Sequence, residues 1–195
     1  MDGKQIELKF EERIDANTEL AKSIYEILIS CDNEFIPPLS TRNATTQTDF
    51  HSSSIVSYAP PYQYWIGILK QQNILAFVDE CLVGFMSFKY NYKIENWFSV
   101  NIMENVVNNY ISTICIYKNY RRLGIARKMY DYIENNLPNE YKCNYVSTRT
   151  WSANINHIKL LYQCNFLLLH TILNDREYND LKFDTLYFGK KIDKE

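Results

Sequence analysis

The sequence predicts an α/β (α+β) chain in which about four helices flank a sheet of six to seven strands. Three observations carry that expectation. Segments with strand character alternate with segments of helical period along the chain. The two strongest apolar runs, 74–78 and 81–90, meet at Asp79-Glu80, which marks an antiparallel hairpin. Of 195 residues, 46% are hydrophobic and 15% aromatic, ample material for helices packed on a sheet. The length suits a single domain over residues 1–195.

The elements follow in order. Residues 5–10 alternate polar and apolar, as an edge strand does. Leu20, Ile24, Ile27 and Leu28 share one face of a helix over 18–30. Pro37-Pro38 ends regular structure, and residues 39–60, rich in Ser, Thr and Asn, read as a long loop. Residues 61–71 form a second helix with Pro61 in its first turn, and the hairpin follows. Residues 91–106 read as loop and 107–117 as a strand rich in Ile. Ile125, Met129 and Ile133, four apart, mark a helix over 124–136 that Pro138 closes. A strand over 143–150 and a short helix over 155–164 come next. The last two strands, 166–172 and 183–189, pair around a polar turn at 174–182.

Composition excludes several functions. The formal charge is −2, the sequence has no long basic run, and nucleic acid is not expected as a partner. No apolar stretch approaches the ~18 residues of a membrane span, so no membrane association is expected either. Cys31, Cys81, Cys115, Cys143 and Cys164 are odd in number and form no CxxC pair. They read as reduced, mostly buried thiols of a cytoplasmic protein. His51, His157 and His170 lack metal-ligand spacing, so no metal is expected.

The chemistry concentrates in Ile114-Cys115-Ile116-Tyr117-Lys118-Asn119-Tyr120-Arg121-Arg122-Leu123-Gly124-Ile125-Ala126. An apolar strand enters a short basic loop, and a glycine then opens an amphipathic helix. The first turn of a helix leaves N–H groups without partners at the positive end of the helix dipole. Gly124 and Ala126 let an anion come close to those groups, and Arg121, Arg122 and Arg127 add charge. A pyrophosphate is the expected guest. GxxxxGK[ST] and GxGxxG are both lacking, which counts against a nucleotide-using enzyme.

Arg121-Arg122-Leu123-Gly124-Ile125-Ala126 resembles the acetyl-CoA site of the GNAT superfamily of N-acetyltransferases, where Gln or Arg, two residues, Gly, one residue and Gly or Ala recur. Asn154 to Phe166 resembles the same family's Asn, short helix, Tyr and Gly-Phe. Aligned on Asn154 and Phe166, the Tyr position holds Leu161, Tyr162 comes one residue late, and Asn165 replaces Gly. One residue is about 100° of helix rotation.

The resemblance implies a GNAT fold, with a central, mostly antiparallel mixed sheet. It implies acetyl-CoA as co-substrate and no metal. Cofactor contacts would come from Ile114, Cys115, Ile116, Arg121, Arg122, Leu123, Gly124, Ile125, Ala126, Arg127 and Asn154. The strand ending at Ile116 would splay from 143–150, and pantetheine would pair with backbone near Ile114 and Ile116. Tyr162 is the candidate acid for the leaving thiolate, or else a packing tyrosine among sixteen. Asn154 would bond pantetheine or cap its helix. Thr113, Tyr110 and Glu104 are the nearest candidates for a base, and none stands out. Phe50, Tyr58, Tyr62, Tyr64, Trp65 and Trp97 are candidates to line a pocket for a small-molecule amine. A homodimer is admitted as the commonest assembly. The rival expectation is a GNAT-fold module that binds acetyl-CoA without turning it over.

Overall fold

The computed structural model describes residues 5–42, 60–93 and 105–192. Among these, four α-helices and seven strands follow in the order β1 (Ile6–Glu11), α1 (Glu19–Ser30), α2 (Pro61–Leu69), β2 (Gln72–Val78), β3 (Cys81–Lys89), β4 (Asn108–Ile116), α3 (Ile125–Asn135), β5 (Tyr145–Trp151), α4 (Ile155–Gln163), β6 (Leu167–Tyr178) and β7 (Leu181–Lys191). The strands form one sheet in the order β1-β2-β3-β4-β5-β7-β6. Pairing is antiparallel for β1 with β2, β5 with β7 and β6 with β7, and parallel for β4 with β5. The expected fold class is present, and β1 is an edge strand as its alternation required.

The chain forms two compact units. The first takes the chain up to Ser87 together with Thr113–Ile125. Its core joins Ala21, Ile24, Ile27 and Leu28 of α1 to Tyr64, Trp65, Ile68 and Leu69 of α2, with Leu75, Phe85 and Cys115 from the strands. Helix α1 starts where Thr18 accepts a hydrogen bond from the Ala21 N–H at 3.2 Å. The β2–β3 turn is Asp79-Glu80, with φ of 50° and 64°. Both residues are left-handed, the geometry that matches the twist of a two-residue hairpin.

The second unit takes Phe88–Ser112 and Ala126 onward. Met129, Tyr130, Ile133, Val146, Leu161, Phe166 and Phe188 are buried there. One expectation needs correcting. The polar stretch 174–182 is not a long turn, because β6 continues to Tyr178 and β7 starts at Leu181, leaving only Asn179-Asp180 to turn. Bulges near Leu168 and between Ile172 and Arg176 absorb the irregular pattern. Asp184 Oδ1 accepts the Asn174 N–H at 2.9 Å, and the Thr185 hydroxyl bonds Asp175, so polar residues are held inside a strand pair.

Candidate active site

Gly124 sits where the chain enters α3, at φ +79°. An L-residue is strained there, and a Cβ added at Gly124 would meet nothing within 4 Å. The glycine is therefore required by the backbone, and open space lies over it. Arg122 is also left-handed, at φ 63°, and Arg122, Leu123, Gly124 and Arg127 are exposed. No acidic residue stands in the first turn of α3. The local chemistry is that of an anion-accepting helix start. Buried Ile125 anchors the helix beneath it.

Strand β4 leads into this turn. Its ladder with β5 runs from Asn108↔Tyr145 to Ile111↔Thr148. Beyond it, the Tyr117 N–H donates to Val83 O at 2.9 Å, toward β3. Backbone groups alternate in direction along a strand, so Ile114 and Ile116 turn theirs away from β3. That is the direction expected of backbone that receives an added extended group. The Ile116 carbonyl already accepts the Arg121 Nε–H at 2.9 Å.

Helix α4 opens at Asn154, whose Oδ1 accepts the His157 N–H at 3.3 Å. The capping role expected as one alternative is therefore present. Leu161, at the position where the resemblance expects Tyr, is fully buried. Tyr162 is 53% exposed, and its ring meets Phe188 edge-on at 5.4 Å. Asn165 takes the left-handed conformation, φ 62°, that Gly supplies in the expected pattern. The buried phenol of Tyr130 and His157 Nε2 lie 2.7 Å apart, joining α3 to α4. Burial lowers the His157 pKa to about 4, so the ring is neutral. Burial also raises the Tyr130 pKa, so its phenol keeps the proton to donate.

The acetyltransferase (GNAT) family model matches residues 23–166, most of the chain and all of the segments just described. The chain belongs to the GNAT acetyltransferase family. Solved structures agree on the fold. NAA60 of Arabidopsis thaliana in complex with acetyl-CoA is 17% identical, at TM-score 0.64, with 96% of this chain and 99% of that one covered. The ribosomal-protein-S18-alanine N-acetyltransferase of Escherichia coli is 10% identical, at TM-score 0.60, with 97% and 96% covered. An N-acetyltransferase of Staphylococcus aureus is 13% identical, at TM-score 0.60, with 97% and 99% covered. No curated protein matches the sequence.

Membership makes this chain an acyltransferase and fixes which expected site residues need placing. Arg121 does not offer its guanidinium to the GNAT turn. Besides Ile116 O it pairs with Glu34 and donates to Cys31 Sγ at 3.4 Å. The sequence motif gave no hint of that network. The Cys31 thiol is lowered to about 7, chiefly by its hydrogen bond with Cys115 and against the cost of burial. Cys115, pushed up mainly by the same bond, is a buried thiol as expected. None of the five cysteines is in a disulfide, and of the five only Cys81 is exposed.

Of the expected pocket residues, Tyr64 and Trp65 belong to the core. Tyr64 bonds Thr113 Oγ1 at 2.8 Å, and the Trp65 ring N–H donates to Ala21 O at 2.8 Å. Tyr62 is exposed. Phe50, Tyr58, Trp97, His51 and Glu104 lie outside the described residues. Among the described residues, no three His, Cys, Asp or Glu are grouped to hold a metal, and no helix is long and apolar enough to cross a membrane.

Proposed function

We propose that the chain moves an acetyl group from acetyl-CoA to a primary amine of a small molecule by direct attack on the thioester. The observation that carries this reading is the open, left-handed Gly124 at the start of α3, in a chain of the GNAT family. NAA60, which shares the fold, was solved with acetyl-CoA.

The residues fit that molecule. Backbone N–H groups of residues 122–126 would hold its diphosphate, and the side chains of Arg122 and Arg127 would add charge. Backbone of Ile114 and Ile116 is the candidate seat of pantetheine, whereas Cys115 between them turns its backbone toward β3. The Asn154 side-chain oxygen caps α4. Arg121 serves through its backbone, its side chain bracing the turn against Ile116 and Glu34. When bound, acetyl-CoA supplies the activated acyl group. Tyr162 is the candidate proton donor to the departing thiolate, and its exposed phenol is available for that role. Five cysteines outside any disulfide fit a reducing compartment such as the cytoplasm.

A second reading, an acetyl-CoA-binding module without turnover, is favoured by one observation. Leu161 buries itself where the family pattern expects Tyr. Incubation with acetyl-CoA and an amine panel, followed by thiol release, separates the two. Acceptor-dependent release is expected. Tight acetyl-CoA binding without release from any amine would select the module.

A further inference from the structure

Two thiols meet inside the first unit, and neither has a part in the proposed transfer. Cys31 ends α1, Cys115 lies on β4, and both side chains belong to one core cluster. The Cys31 sulfur lies 3.7 Å from the carbonyl of Ile116, the residue after Cys115, and accepts the Arg121 Nη2–H at 3.4 Å. The Cys115 thiol donates to it as well. That donation is the main reason the Cys31 pKa falls to about 7, with Ser30 and Arg121 assisting and burial and Glu34 opposing. Thiolate is the form that reacts with oxidants, and a neighbouring guanidinium favours it. Cys164 shows the contrast: burial raises its pKa. A reactive thiol with a second thiol beside it can pass from sulfenic acid to disulfide.

We propose that Cys31 and Cys115 form a redox modification site: hydrogen peroxide oxidises Cys31, Cys115 closes a disulfide with it, and the bond weakens the acetyl-CoA seat. The Cys31 thiolate attacks one peroxide oxygen, the O–O bond breaks, and the hydroxide released takes a proton from solvent and leaves as water. The Cys115 sulfur then attacks the Cys31 sulfenic sulfur. The S–O bond breaks, and the departing hydroxide takes the Cys115 proton as a second water. The sulfur pair loses two electrons, and the peroxide gains them. The bond reaches the seat through contacts on both sides. A Cβ at Gly84 would meet the Cys115 carbonyl at 2.9 Å, so β4 is pressed on β3 there and the end of α1 must give way. Arg121 then loses the Cys31 sulfur as an acceptor. Arg121 also bonds the Ile116 carbonyl at 2.9 Å and pairs with Glu34, so the turn before Gly124 is disturbed with it. This consequence rests on the acetyl-CoA reading; the bond itself does not.

The test treats the whole chain with hydrogen peroxide, desalts it, digests it without reductant and maps it by mass spectrometry. The Cys31 and Cys115 peptides are expected to be joined and to separate in dithiothreitol. By calorimetry with acetyl-CoA, which carries no thiol, the oxidised chain should bind about tenfold or more weakly than the reduced chain, and dithiothreitol should restore the affinity. Cys31→Ala should keep the reduced affinity and lose the response to peroxide. Cys115→Ala should leave a Cys31 sulfenic acid that dimedone captures; if that variant does not fold, the wild-type map decides alone. Both thiols still reduced under peroxide that oxidises the exposed Cys81, a bond to a different cysteine, or no dimedone label on Cys31 in folded Cys115→Ala would overturn the site. A mapped bond with unchanged affinity would overturn its hold on the acetyl-CoA seat. A mapped bond in a chain that binds acetyl-CoA in neither form would uphold the thiol pair and overturn the acetyl-transfer reading.

Discussion

The entrances to α3 and α4 are both helix starts that resemble family motifs, yet they differ in kind. At α3 the motif is a backbone fact. Gly124 is left-handed with empty space over it, so any chain with this turn needs glycine there. At α4 the motif is a matter of phase. Asn154 caps, Leu161 turns inward and Tyr162 turns outward. A one-residue slip moves a side chain through about 100°, whereas it leaves backbone N–H groups at a helix start in place. Sites made from backbone tolerate sequence drift that sites made from side chains do not.

That contrast can be broken in five places. The largest effect is expected from Leu161→Ala, which removes a fully buried side chain and should cost about 2–5 kcal/mol of stability by denaturant unfolding. A cost under about 1 kcal/mol would mean that the α4 phase is wrong. Gly124→Glu should lower kcat/KM for acetyl-CoA by about a hundredfold or more, through strain, bulk and negative charge at the α3 entrance. Tyr162→Phe keeps the ring contact with Phe188, so melting should be unchanged while kcat falls by about 10² if the phenol gives the proton. An unchanged kcat would assign Tyr162 to packing.

Next comes acidity. His157 has a folded pKa of about 4, below its unfolded 6.5. The unfolded chain therefore takes up more protons on acidification, so the stability His157 permits is complete above pH 6.5 and lost as pH falls toward 4. The loss should reach about 3 kcal/mol in pH-dependent unfolding and shrink in His157→Gln. The smallest effect is expected from Asn154→Ala, about 1 kcal/mol from the lost cap, with any further loss confined to KM for acetyl-CoA.

Much of this was legible beforehand. Alternation in 5–10, the four-residue spacing of Ile125, Met129 and Ile133, and the break at Asp79-Glu80 each map onto an element, because period and turn chemistry are local. The β6–β7 pair was harder. Its polar residues 174–178 look like a turn, and their pairing with β7, Arg176↔Phe183 to Tyr178↔Leu181, together with the bonds to Asp184 and Thr185, makes them strand. The engagement of Arg121 by Glu34 and Cys31 was hidden for the same reason, since its partners lie some ninety residues away in sequence.

Titration of CoA against pantetheine, which lacks the diphosphate, tests the central claim most directly. If the N–H groups at the start of α3 hold that diphosphate, pantetheine binds about a hundredfold more weakly than CoA or worse, and Gly124→Glu weakens CoA while leaving pantetheine unchanged. Equal affinity for the two ligands, or full CoA affinity in Gly124→Glu, would contradict it.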